Sequence, residues 1–99
     1  MVTITLPFDS DKLIEVCRNN DVSMLGIFGS VARGEATAQS DVDLLVRFSR
    51  RKSLLALADL ALQIETAIGK KVDLLTEAAI SPYIRPRVQK DLKILYEAP

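Results

Sequence analysis

The sequence predicts a small α/β (α+β) domain, with residues 1–99 read as a single unit. Three observations carry that reading. Apolar residues at helical spacing mark two helices, near 10–19 and 53–68. Short apolar runs at 23–28, 41–48 and 71–76 suit strands. The segments between them are short and rich in turn formers, with no internal repeat, low-complexity tract or linker. A chain of 99 residues is ordinary for one domain and can bury a modest core.

Taken in order, residues 1–8 (MVTITLPF) read as an extended lead-in ended by Pro7. Asp9 and Ser10 then offer N-cap chemistry for a first helix whose apolar side carries Leu13, Ile14, Val16 and Cys17. Asn19-Asn20-Asp21 is its exit. SMLGIF at 23–28 is a short apolar run of the kind found in buried strands. Gly29-Ser30 follows at once, and the small residues after it read as a turn and a short helix. In the second strand, DVDLLVRF, alternation puts Asp41, Asp43, Leu45 and Arg47 on one face and Val42, Leu44, Val46 and Phe48 on the other. Ser49-Arg50-Arg51-Lys52 is a charged loop, read as a solvated turn. Ser53 caps a long helix bearing Leu54, Leu57, Leu60, Ala61, Ile64 and Ile68, and Gly69 stops it. KVDLLT at 71–76 is the third strand. Pro82 and Pro86 place a turn before a helix starting near Pro86, and LKILY at 92–96 is a terminal strand. Tyr83 and Tyr96 read as packing residues. Arg85, Arg87 and Lys90 share the final helix, able to face nucleotide or partner. Lys70 and Lys71 read as solubilising.

Composition narrows the chemistry. Thirteen basic and thirteen acidic residues give a formal net charge of zero, which argues against non-specific DNA or RNA binding. No apolar run approaches the roughly 18 residues of a membrane span. The single cysteine, Cys17, allows no intrachain disulfide and fits a small core residue in a reducing, cytoplasmic setting. There is no histidine, which removes His-based triads and most zinc sites. Any chemistry must run on carboxylates, hydroxyls, Lys, Arg, the lone thiol or the backbone.

The informative stretch is Gly29-Ser30-Val31-Ala32-Arg33-Gly34, then six residues, then Asp41-Val42-Asp43. Asp41 and Asp43 share a strand face with Cα atoms roughly 6.5–7 Å apart. Two such anions repel, and a divalent cation reverses the sign of that interaction. Mg²⁺ is commonly held by one or two carboxylates together with substrate phosphates. Asp73 interrupts the apolar third strand, where an acid needs a partner or a cation. If the third strand pairs beside the second, three carboxylates meet. They then build a one- or two-metal site for in-line displacement, or Asp73 serves as general base on the acceptor hydroxyl. Gly29 lets backbone approach a phosphate closely. Ser30 can donate to a phosphate oxygen, Arg33 is the nearest cation for a triphosphate, and Gly34 permits positive φ as the chain turns back.

These residues resemble the signature of the polymerase-β-like nucleotidyltransferases: Gly-Ser, a gap of ten, then Asp-x-Asp. The text is GSVARGEATAQSDVDLLV, followed by KVDLLT with the third acid. Within that superfamily the chain looks most like the minimal nucleotidyltransferase (MNT) antitoxins of HEPN/MNT toxin–antitoxin systems, over nearly its whole length. The resemblance implies a small mixed sheet with helices packed on one side. It implies Asp41, Asp43 and Asp73 as catalytic metal ligands, and Gly29 and Ser30 as the phosphate-contacting pair. It also implies Mg²⁺, ATP as substrate, and a HEPN-domain RNase toxin as partner in a heteromeric complex, silenced by transfer of AMP to a tyrosine hydroxyl. Two other functions stay open: stoichiometric capture of the partner without catalysis, and transfer of a nucleotide to an aminoglycoside-like small molecule. The short chain has no obvious acceptor domain for the latter.

Overall fold

A computed structural model describes residues 10–99. The expected lead-in over 1–8 and the capping role of Asp9 lie outside the described residues. The element order is α1 (Ser10–Arg18), β1 (Val22–Phe28), α2 (Gly29–Ala32), β2 (Val42–Phe48), α3 (Leu54–Ile68), β3 (Val72–Thr76), a single 3₁₀ turn (Glu77–Ala79), α4 (Arg85–Asp91) and β4 (Lys93–Glu97). Every element expected from sequence within this span is present, with ends shifted by a residue or two. The 3₁₀ turn is the addition.

The four strands form one mixed sheet in the order β3-β2-β1-β4. β1 runs antiparallel to both β2 and β4, whereas β2 and β3 are parallel. A parallel pair cannot be joined by a hairpin, and α3 makes the crossover between them. Its start is capped by Ser53, whose Oγ accepts a hydrogen bond from the Ala56 amide at 3.1 Å. Gly69 closes it in the left-handed conformation. Just beyond, the Val72 amide donates to Glu65 Oε2 at 2.9 Å, tying the helix to the start of β3.

Strand alternation sorts the sheet into two faces. Leu25, Ile27, Val42, Leu44, Val46 and Val72 turn toward α1 and α3, where they meet Leu13, Cys17, Leu60, Ile64 and Ile68 in the main core. The two long helices thus lie on one side, as expected. Met24, Phe28 and Leu45 turn the other way, into a smaller cluster closed by Ile80 and by Val88 of the short helix α4. A bulge between Val22 and Met24 explains why these two residues serve different clusters although they are two apart. The extra residue, Ser23, breaks the period of two, and its Oγ donates to the Arg47 carbonyl at 3.0 Å.

Two expectations change. The basic loop 50–52 is not simply solvated. Lys52 Nζ donates to Asp21 Oδ2 at 2.7 Å and Arg50 lies 3.8 Å from the same oxygen, which holds the Asp21 carboxyl below its usual range. Asp21 itself sits at φ +57, and its carbonyl accepts from the Ser49 amide at 2.8 Å. Tyr83 is no packing residue: it stands 95% exposed in the turn before α4. Tyr96, by contrast, packs against the main core.

Candidate active site

The site forms where β1 hands over to α2. Phe28, the last residue of β1, is the register partner of Asp43 in β2, so the chain leaves β1 directly beside that carboxylate. The next residue, Gly29, adopts φ +75. A Cβ at Gly29 would overlap Asp43 Oδ2 and lie only 3.1 Å from its Cγ. Glycine is required twice over, by the backbone angle and by the carboxylate against which the turn is pressed. From sequence, Gly29 is expected to let backbone approach a phosphate. The structure adds a reason internal to the protein.

From Gly29 the chain makes one tight helical turn. The Arg33 amide donates to the Gly29 carbonyl at 3.1 Å and the Glu35 amide to the Ser30 carbonyl at 2.9 Å. Gly34 takes φ +74, as its place at the reversal predicts. Among the described residues the Ser30 hydroxyl has no hydrogen-bond partner, so it is available to a ligand oxygen. The connection back to β2 is braced by a small polar turn, in which the Thr37 amide donates to Ser40 Oγ at 2.9 Å. Asp41 follows, exposed, one residue before the strand begins. The Val42 amide donates to the Lys71 carbonyl at 2.9 Å and latches β2 to the start of β3.

That latch sets the register in which Asp43 and Asp73 are direct partners across the parallel pair. Partners in a parallel ladder point to the same face, with strands about 4.8 Å apart. The third acid is therefore brought beside the second, on the face that carries Leu45. Burial raises the Asp43 pKa, the charges of Asp73 and Asp41 raise it further, and Arg33 offsets part of the rise. Asp73 itself is exposed. It needs no buried partner, because β3 is the sheet edge and water reaches it.

Arg33, expected to be the nearest cation for a triphosphate, makes two ion pairs. Its Nη1 donates to Asp91 Oδ2 at 2.6 Å and its Nε to Glu35 Oε1 at 3.0 Å. These bonds raise the Arg33 pKa and fix the guanidinium at the end of α2. Asp91 was not singled out in the sequence. It lies 58 positions away, and no spacing rule joins it to Arg33.

Among the described residues no three acids close into a ready-made metal cage. The donor set nevertheless fits a divalent cation. Asp43 feels two like charges and only one opposing one, a balance that an added cation corrects. Asp41 and Asp73 stay open to solvent, which suits Mg²⁺, an ion that keeps several waters and takes its remaining ligands from phosphate.

Comparison with known proteins identifies the family. Residues 11–99 match the family described as polymerase β, nucleotidyltransferase. The chain belongs to this nucleotidyltransferase family. It is 42% identical over 77 residues to a Methanocaldococcus jannaschii protein assigned as a protein adenylyltransferase, covering 78% of this chain and 83% of that one. The fold superposes on a chain of a toxin–antitoxin crystal structure with AMP-PNP at a TM-score of 0.77 and 25% identity, over 91% of this chain and 74% of the other. It also superposes on a structure of a tri-AMPylated Shewanella oneidensis HEPN toxin in complex with an MNT antitoxin, at a TM-score of 0.68 and 23% identity, over 90% and 70% of the two chains. At that identity the second match speaks for the fold. As a nucleotidyltransferase of this family, the chain presses its Gly29 turn against Asp43, which is the register partner of Asp73.

Proposed function

We propose that the chain is an antitoxin that transfers AMP from ATP, with Mg²⁺, to a tyrosine hydroxyl of a HEPN-domain RNase toxin and so silences it. What carries the reading is the register pairing of Asp43 with Asp73, together with the Gly29 turn pressed against Asp43. Its support outside the site is the likeness to a protein adenylyltransferase and to a toxin–antitoxin structure with a nucleotide analogue.

The chemistry would run as an in-line displacement. Asp41, Asp43 and Asp73 would hold the metal. When bound, Mg²⁺ neutralises phosphate charge and polarises the phosphorus centre. The Gly29-Ser30 turn offers backbone and a hydroxyl to the phosphates, and Arg33 offers positive charge beyond them. The acceptor oxygen attacks the α-phosphorus, a new P–O bond forms, the bond to the bridging oxygen breaks, and pyrophosphate leaves. The acceptor's proton passes to water or, where Asp73 serves as general base instead of holding metal, to Asp73. Because Asp41 and Asp73 stand exposed, the partner would supply the shape that positions its own hydroxyl.

The test is co-expression with a HEPN partner followed by intact-mass analysis after incubation with ATP and Mg²⁺. One added AMP mass per modified site is expected, absent in the Asp41→Ala/Asp43→Ala double variant. An unchanged partner mass overturns the reading. A double variant that still neutralises the toxin at equal dose would show that capture without catalysis is sufficient.

A further inference from the structure

The Arg33–Asp91 pair does more than hold an arginine. It joins the end of α2 to the end of α4 beside a recess of about 460 Å³ lined by Arg33, Pro86, Arg87, Lys90 and Asp91. Arg87 and Lys90 occupy adjacent turns of α4, both exposed. Among the described residues neither has a carboxylate partner. The one acid in the recess, Asp91, is taken up by Arg33. A chain with no net charge thus concentrates unneutralised positive charge on this flank. Arg33 links it to the acids through the backbone, since its amide donates to the Gly29 carbonyl at 3.1 Å and Gly29 is pressed against Asp43.

That order of charges, acids then Arg33 then two further cations, is suited to an extended polyanion. A triphosphate lying on the Gly29-Ser30 turn would present its α-phosphate to the acids and extend its tail past Arg33. We propose that Arg87 and Lys90 form the far end of the phosphate site, binding the terminal phosphates of the nucleotide and, after transfer, the departing pyrophosphate. The proposal rests on the nucleotidyltransfer reading above and adds two residues that the sequence motif does not contain. Arg87 supplies a planar fork for phosphate oxygens and Lys90 a point charge. Both act by binding the leaving group, and neither touches the acceptor.

The experiment compares the intact protein, Arg87→Ala/Lys90→Ala, the conservative Arg87→Lys/Lys90→Arg, and the charge-matched control Arg18→Ala/Arg51→Ala. AMP transfer is followed at varied Mg·ATP, with inorganic pyrophosphate as product inhibitor. The expected result for Arg87→Ala/Lys90→Ala is a roughly tenfold rise in both the KM for ATP and the inhibition constant for pyrophosphate, with kcat nearly unchanged. The conservative variant recovers most of that loss and the control shows none. Unchanged constants in the double variant, or equal shifts in the control, overturn the proposal while leaving the transferase reading intact. Should the intact protein transfer no AMP, that reading fails separately, and calorimetry with pyrophosphate and Mg²⁺ then decides the recess: equal affinity for the intact protein and the double variant overturns it. A single-stranded RNA oligonucleotide that displaces pyrophosphate through these same two residues would also overturn it, by assigning the recess to a phosphodiester backbone.

Discussion

Replacing Gly29 by alanine perturbs the active site through a single methyl group. The backbone there holds φ +75, a left-handed angle that costs an L-residue about 1–2 kcal/mol. In a chain of this size that loss lowers Tm by roughly 4–8 °C per kcal/mol. The larger consequence is local. The new Cβ would overlap Asp43 Oδ2, while its ordinary contact distance begins at 3.4 Å. The carboxylate would have to retreat by about 1 Å, a misplacement that commonly lowers kcat by about a hundredfold. The assay pairs a thermal or urea melt with AMP transfer at saturating ATP. A folded Gly29→Ala protein, slightly destabilised and about a hundredfold slower, is the expected outcome. A variant that melts as expected yet keeps kcat within about threefold of the parent would refute the argument, because Asp43 could then move without consequence.

Other perturbations test the frame around the site. Ile64→Ala removes a fully buried side chain from the contact of α3 with the sheet and should cost about 2–5 kcal/mol in a urea titration. Ser53→Ala removes the cap of α3 and should cost about 1 kcal/mol by the same measurement, without changing KM or kcat. Cys17 is fully buried, and burial pushes its thiol pKa up to about 12. In native protein it should therefore resist iodoacetamide at neutral pH and react only as fast as the chain unfolds. The sign of its pH effect follows. The protonated thiol is favoured in the folded state, so this contribution to stability is present below the ordinary thiol pKa and is lost as pH rises toward 12. A Cys17→Ser variant should show a shallower alkaline fall in Tm.

Much of the fold could be read because local rules govern it. Ser53 and Gly69 bracket α3 by capping and left-handed geometry, which depend on neighbouring residues alone. The alternation of DVDLLVRF assigns Asp43 and Leu45 to one face and Val42 and Leu44 to the other, whatever lies beyond. The bulge at Ser23 was hidden, since nothing in SMLGIF distinguishes a regular strand from one that changes face. Tyr83 was misjudged for a related reason: an aromatic ring in a proline-flanked turn has no periodicity to say whether anything packs over it. Asp73 was read as an acid in need of relief, but its place on an edge strand exposes it to water.

By itself the sequence determined the chemistry on offer: a glycine-serine turn, a pair of acids two residues apart, a third acid in a later strand, and no histidine to compete with them. Those features follow from residue identity and short-range geometry. Tertiary structure decided which of them meet. The parallel register of β2 and β3 sets Asp43 against Asp73, the crowding of Asp43 makes Gly29 obligatory, and Asp91 holds Arg33 from the far end of the chain. Such pairings depend on sheet register and on the path of α4 across the second face. Both are set by the packing of whole elements, and no local spacing encodes them.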